Sequence, residues 1–252
     1  MNVKLISYTP DALNLLLGTK NTRLANASDP ATWTDEERAE HLAYMRDTIK
    51  SSWEFVDYVF RIEGVTRAFT HQLVRTRTGS YAQEAQRVVN VADRAVAVPP
   101  SVAADDEALN YWNYAVDIIN GSYQALQSRG IPRQDARGLL PTNITTSIIA
   151  KFNLRTLHEM AKLRLCTRTQ GEYQDVFRQM RSLVTLIHPW AAEFIEVHCV
   201  AHGTCAFPRY GSKECPVWFP ALDNTPAREE ARKRFWSVRY EAAPVAHGGK
   251  AM

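Results

Sequence analysis

Apolar positions along the chain repeat with two periods, and the switches between them lay out the elements. Val3 to Tyr8 is a strand-like opening run stopped by Pro10, after which Asp11 is placed to cap a short helix from Ala12 to Leu17. Asn21 to Thr34 is polar and without a period, so it reads as a loop. Asp35-Glu36-Glu37 opens a helix with Leu42, Tyr44, Met45 and Ile49 on a broad apolar face, ending near Ser51-Ser52. Aromatic and β-branched residues from Trp53 to Ile62 predict a strand, and Thr66 predicts the cap of a helix that turns Ala68, Phe69, Leu73 and Val74 inward. Thr78-Gly79 breaks that helix, and Val88 to Val91 reads as a further short strand.

The clearest helix lies between Asp105 and Ser128, where Leu109, Trp112, Val116, Ile119, Tyr123 and Leu126 recur at steps of three and four before Gly130 and Pro132 close it. It is a packing surface with no chemistry on it. Arg133 to Pro141 is a charged turn, and Thr142 to Ile149 leads into a helix from Asn153 to Arg164. Leu154, Leu157 and Ala161 form its stripe, with Asn153, Arg155, Glu159 and Arg164 off it. Arg155 and Glu159, at i and i+4, have the spacing of an ion pair worth ~0.2–0.5 kcal/mol. Gln170 to His188 is amphipathic and helical, and Ala191 to Val200 continues helical. Past Pro220 the chain is charged and poor in aliphatics, with a surface helix expected over Arg228 to Tyr240 and a frayed tail from Ala242. With no internal repeat and no low-complexity linker, one domain over 1–220 and a polar C-terminal extension over 221–252 is the economical division.

Composition narrows the function more than the fold. The 252 residues are 45% hydrophobic and 23% charged, as in ordinary globular proteins. Thirty Lys and Arg against 27 Asp and Glu leave +3, too little for a nucleic-acid binder, so anion recognition must be local. The N-terminus has neither the charge pattern of a signal peptide nor the length of a membrane span, and a cytoplasmic protein with reduced thiols is expected. Cys199, Cys205 and Cys215 lie near His198 and His202, but their spacing matches no zinc signature and no metal site is assigned.

Local anion recognition has one obvious seat. Arg75, Arg77 and Arg87 fall within thirteen residues, spaced by Thr76, Thr78, Gly79, Ser80, Gln83 and Gln86. Guanidinium forks match phosphate oxygens in pairs, and a Thr-Gly-Ser turn offers backbone N–H groups beside them. Three solvated arginines on a helix surface would leave the same trace.

The motifs around this cluster decide between those readings. Phe60-Arg61-Ile62-Glu63-Gly64-Val65-Thr66-Arg67, the run Arg75-Thr76-Arg77 through Gln83 to Arg87, Ala136-Arg137-Gly138-Leu139-Leu140-Pro141, and Asn153-Leu154-Arg155-Thr156-Leu157 through Leu163-Arg164 resemble, in order, the blocks of flavin-dependent thymidylate synthases. The resemblance covers about Val3 to Val200 and is divergent in the family's R-H-R motif. It implies an α+β fold, helices packed with a small antiparallel or mixed sheet, in a homotetramer with shared active sites. It also implies an FAD-dependent one-carbon transferase that converts dUMP to dTMP with NADPH and methylenetetrahydrofolate as co-substrates, without nucleic acid or membrane partners. By position, Ser51, Arg75, Thr76, Arg77, Thr78, Gln83, Asn153, Arg155 and Glu159 correspond to the FAD site. Gln72, Arg75, Gln83, Glu84, Ala85, Gln86, Arg87, Arg137 and Arg164 correspond to the nucleotide site, with Arg164 the catalytic residue that stabilises charge on the pyrimidine. The chain departs from the family at Phe55 and Thr76, each a histidine there, at Ala85, a serine, at Val88, a tyrosine, and at Glu159, usually Asn or His. These departures keep open a homologue that methylates or hydroxymethylates another pyrimidine nucleotide, and a catalytically silent nucleotide- or flavin-binding protein.

Overall fold

The computed structural model describes residues 1–23, 28–48, 50–89, 94–207, 215, 229–230, 233 and 245–246. A four-stranded antiparallel sheet in the order β1-β2-β5-β3 is its frame, built from β1 (Asn2–Tyr8), β2 (Asp57–Thr66), β5 (Thr145–Asn153) and β3 (Ser80–Gln83). Facing pairs Val3 and Ile62, Tyr58 and Phe152, Phe60 and Ala150, and Ile62 and Ile148 put alternate residues of each strand on one apolar face. Against that face pack α1 (Ala12–Lys20), α3 (Arg67–Leu73), α7 (Leu154–Arg164) and α8 (Gly171–Ile187), closing a continuous core that includes Leu16, Trp53, Phe69, Leu157, Tyr173 and Phe177. The arrangement is the α+β one expected.

Local chemistry explains the element ends. Thr34 forms a reciprocal capping box with Glu37 at the start of α2 (Asp35–Asp47). Gly64, at φ +68°, marks the register shift between Glu63 and Val65, which buries Val65 and Thr66 in succession. That shift aims Thr66 at α3, whose Phe69 N–H it caps at 3.0 Å, while Glu172 of α8 accepts from the Thr66 N–H and hydroxyl at 2.7 and 2.5 Å. Asn153 ends β5 and caps α7 through the Thr156 N–H at 2.8 Å.

A second, smaller region follows β4 (Val96–Ala97) and α4 (Pro100–Ala103). The 23-residue α5 (Asp106–Ser128) buries only Val116 and Tyr123, and with α6 (Arg133–Ala136) it shares a small core of Tyr123, Ala136 and Ile144. It leaves Tyr111, Tyr114 and Ile118 exposed. The segment from 142 to 144 ties this region to the frame, since the Arg67 and Ala68 N–H groups donate to the Ile144 and Thr142 carbonyls. The chain then runs through α9 (His198–His202). In the segment expected to fray, β6 (Val245–Ala246) pairs with β4; the rest of residues 242–252, and most of the polar extension, lie outside the described residues.

Several expectations are corrected. The strand predicted from Trp53 starts at Asp57, because Lys50–Phe55 winds into a 3-10 turn that buries Trp53. The strand predicted at Val88 is an exposed turn at Val88 and Val89, both of whose N–H groups return to the Ala85 carbonyl; the pairing strand is Ser80–Gln83 instead, and Asn90 and Val91 lie outside the described residues. Val74 is exposed at the end of α3. Thr145–Asn153, read as a lead-in to a helix, is the strand between β2 and β3.

Candidate functional site

The predicted arginine cluster sits on a turn that the sheet holds rigid. A Cβ on Gly79 would meet Phe152 Cε1 and Tyr81 Oη at 2.5 Å each, so only glycine lets the turn lie this close to β5. The Tyr81 hydroxyl reaches back to the Leu73 and Thr76 carbonyls at 3.0 and 2.7 Å, and burial raises its pKa, keeping the proton it donates. Arg75, Arg77 and Arg87 are exposed and, among the described residues, have no side-chain hydrogen bond or ion pair. Their charge is unneutralised where the backbone is fixed. Gln83 instead turns toward α3 and donates to Thr70 Oγ1 at 2.7 Å, while Glu84 holds Arg94 at 2.7 Å and its N–H donates to Ser147.

Other predicted nucleotide residues divide between two faces of α3. On one face a cavity of about 310 Å³ is lined by Arg67, His71, Gln86 and Arg137, with Leu140, Pro141 and Ile144 as its apolar wall. Gln86 is buried and its Nε2 has no acceptor. Burial lowers the pKa of Arg67, Arg137 lowers it further, and Glu84 opposes them. On the other face, Gln72 donates to Gln170, and the Arg164 guanidinium lies over the Tyr173 ring, 4.5 Å from its centroid. Burial raises the Tyr173 pKa, against the opposing pull of Arg164 and Thr76. Gln174 fixes the end of α7 by donating to the Leu165 carbonyl at 2.7 Å, which sets where Arg164 emerges.

The remaining predicted flavin residues gather around Lys50–Phe55 and α7. Ser51 lines an open cavity of about 780 Å³ with Asp11, Asn14, Thr19 and Phe55. Arg155 pairs with Glu54 at 2.6 Å rather than with Glu159, because the 3-10 turn brings Glu54 within reach. Glu159 accepts from Lys162 at 3.0 Å, and Asn153 spends its side-chain oxygen on the helix cap. Behind them, buried His158 has its Nδ1 2.7 Å from the Phe194 carbonyl, which can only accept, so that nitrogen carries the proton and Nε2 accepts from Lys50 at 2.8 Å. Burial is the main reason the His158 pKa falls to about 4, with Lys50 and Lys162 adding to it.

Sequence reading missed Arg67, His71, Lys50 and His158. Arg67 and His71 were legible as an i, i+4 polar pair opposite Phe69 and Leu73 on a short helix; Lys50 and His158, far apart in sequence, carried no local signal. The four cysteines are free, and burial pushes Cys199 up to about 12 and raises Cys166. Among the described residues no group of three or more His, Cys, Asp or Glu is placed to hold a metal, and no helix is long and apolar enough to cross a membrane.

Comparison with known proteins agrees with the motif order. The family model described as thymidylate synthase complementing protein matches residues 4–190. A flavin-dependent thymidylate synthase of Sulfurisphaera tokodaii is 33% identical over 80% of this chain and 80% of its own. Those of Sulfolobus acidocaldarius and Pyrococcus horikoshii are 31% and 32% identical, over 89% and 81% of this chain and 86% and 89% of theirs. Among solved structures, the fold is similar to that of a UMP/dUMP methylase, PolB, from Streptomyces cacaoi bound with 5-Br dUMP, at a TM-score of 0.67 and 19% identity over 77% of this chain and 93% of that one. A match that spans most of the chain, on a sheet and helices in the same arrangement, shows that this protein belongs to the flavin-dependent thymidylate synthase family.

Proposed function

We propose that this protein is a flavin-dependent enzyme that methylates dUMP to dTMP, with FAD as its flavin and with NADPH and methylenetetrahydrofolate as co-substrates, acting as a homotetramer in the cytoplasm. The observation that carries the reading is the arginine turn: Arg75 and Arg77 stand unpaired on a rigid backbone at family motif positions, which fits a flavin diphosphate. Bound reduced flavin supplies the hydride. In this reading Arg164, which lies over Tyr173, faces the pyrimidine and stabilises negative charge as its C5 becomes nucleophilic, while Gln86 and Arg137, which line one cavity, take the phosphate together with Arg87. No enzyme nucleophile is required: Ala85 has none, and burial keeps Cys166 and Cys199 protonated.

The division of nucleotide residues between two faces of α3 supports sites shared between subunits, Gln86, Arg87 and Arg137 coming from one protomer and Gln72 and Arg164 from another. The exposed Tyr111, Tyr114 and Ile118 of α5 offer an apolar surface for such assembly, and the unpaired cysteines suit a reducing cytoplasm. The test is a product assay by mass spectrometry with dUMP, UMP and dCMP in parallel, on protein checked for flavin absorbance. A methyl group added to dUMP alone is expected. A hydroxymethyl product, or turnover of another nucleotide in preference to dUMP, would redirect the assignment, and flavin-free protein would contradict it.

A further inference from the structure

We infer that Lys50 and Lys162 are positioning residues that hold Glu159 as a carboxylate beside the proposed flavin site and leave there a surplus of positive charge, which favours the reduced, more negative state of the flavin; this rests on the proposed function. Neither lysine is among the residues assigned by position, and Glu159 is the flavin-site position that departs from the family's Asn or His. Lys50 opens the 3-10 turn that carries Ser51, and Lys162 stands on α7 with Arg155 and Glu159, so the cluster joins the two elements that supply the flavin residues.

Three observations carry it. First, two cations flank one carboxylate: the Lys162 ammonium donates to both Glu159 oxygens at 3.0 Å, and Lys50 Nζ lies 3.9 Å from Oε1. Burial alone would raise the Glu159 pKa, but the hydrogen bond and charge of Lys162, with His158 and Lys50 adding to them, outweigh it and the pKa falls. Second, Lys50 is held in place. Its ammonium donates to His158 Nε2 at 2.8 Å and lies 5.2 Å from the centroid of the fully buried Trp53 ring, while His158 Nδ1 is fixed by the Phe194 carbonyl at 2.7 Å. A neutral histidine has a single acceptor nitrogen, and here it fixes a cation without neutralising it. Third, the charges do not cancel. Arg155 is matched by Glu54 at 2.6 Å, which leaves, among the ion pairs of the described residues, Lys50 and Lys162 sharing Glu159. Burial lowers the Lys50 pKa, and Lys162 lowers it further, with Glu159 opposing and Arg155 adding; that repulsion between like charges is what an added negative charge relieves. Reduction puts negative charge on the flavin ring, so a fixed positive surplus beside it stabilises the reduced state more than the oxidised one.

The test is reductive titration of the purified full-length flavoprotein against a reference dye, in the parent chain, Lys50→Met, Lys162→Met, Lys50→Arg, Glu159→Gln and the double variant Lys50→Met with Glu159→Gln, with flavin retention and thermal melting recorded for each. Lys50→Met is expected to weaken the hold on reduced flavin on the order of tenfold more than the hold on oxidised flavin, read as a midpoint potential lower by about 30 mV. Lys162→Met should shift the midpoint the same way and Glu159→Gln the opposite way, while Lys50→Arg, which keeps the charge, stays close to the parent. In the double variant the two shifts should cancel. Midpoints that do not move in Lys50→Met and Glu159→Gln, or that move in the same direction, overturn the inference and leave the proposed function standing wherever dUMP is still methylated. A lowered melting temperature with an unmoved midpoint makes the lysines structural and overturns it too. If Lys50→Met fails to fold or sheds its flavin, Glu159→Gln decides: a raised midpoint supports the inference and an unchanged one overturns it. A parent chain that holds flavin but leaves dUMP unmethylated overturns the proposed substrate, and opposite shifts in the two variants still support the inference. A parent chain that takes up no flavin overturns both.

Discussion

The sheet region and the α5 region are built to different standards. Around the sheet, Trp53, Tyr58, Phe60, Phe69, Phe152 and Phe177 are fully buried in one continuous core, whereas α5 covers little more than Val116 and Tyr123 and exposes large apolar side chains along its length. The first region buries what it needs by itself. The second leaves Tyr111, Tyr114 and Ile118 exposed among the described residues, and the candidate site lies on the seam between them, where α3 is bonded to residues 142 and 144. The deeply buried half holds the arginine turn, and the half with the exposed helix carries Arg137.

Breaking the deeply buried half should have the largest effect. Phe152→Ala removes the ring that faces Tyr81 and sits under Gly79, and is expected to cost ~3–5 kcal/mol in chemical denaturation; a loss below ~1 kcal/mol would mean that the sheet core is not the stabilising unit. Acid should act next, through His158. Its folded-state pKa of about 4 lies below its ordinary value of 6.5, so the unfolded chain takes the proton first. Stability present above pH 6.5 is therefore lost as pH falls toward 4, by up to ~3 kcal/mol. His158→Gln, which can still accept from Lys50 and donate to Phe194, should lose this component of the pH profile, and profiles that superimpose would show that His158 is not its source.

Smaller effects sharpen the comparison at the seam and beyond it. Arg87→Ala should weaken nucleotide binding by ~1.5–3 kcal/mol with flavin retention nearly unchanged; equal loss of both ligands would contradict the division of arginines between phosphate groups. Tyr114→Ala, on the exposed face of α5, should change the stability of the dissociated chain by no more than ~0.5 kcal/mol while weakening assembly in sedimentation velocity. A variant that sediments as the parent does would remove that face from the interface.

Much of this was legible along the chain. The α5 period is visible because one face is apolar and the others are not, and Thr66 announces a helix start because a side-chain oxygen there satisfies an otherwise orphaned N–H. β5 escaped because its first residues, Thr145 and Thr146, are polar yet buried, which breaks the apolar alternation a strand is read from. At the site, motif order placed the arginines, but not their partners. Whether Arg155 meets Glu159 or Glu54 depends on a 3-10 turn about a hundred residues earlier, and the pairing of Arg67 with Arg137 depends on how residues 142–144 cross α3.

The central claim, that one nucleotide is held by residues from two faces and hence from two protomers, has a direct measurement. Arg87→Ala and Arg164→Lys proteins, the first expected to turn over little dUMP at subsaturating concentration and the second at any, are dissociated, mixed in equal amounts and reassembled, and turnover of subsaturating dUMP is measured. Arg164→Lys keeps the charge but loses the planar fork, so its own loss of turnover reports on chemistry at the pyrimidine. Random assembly leaves about a quarter of shared sites with both parental residues, and turnover of that order should return on mixing. Mixtures no more active than the separate variants would place Arg87 and Arg164 in the same protomer's site and contradict the account.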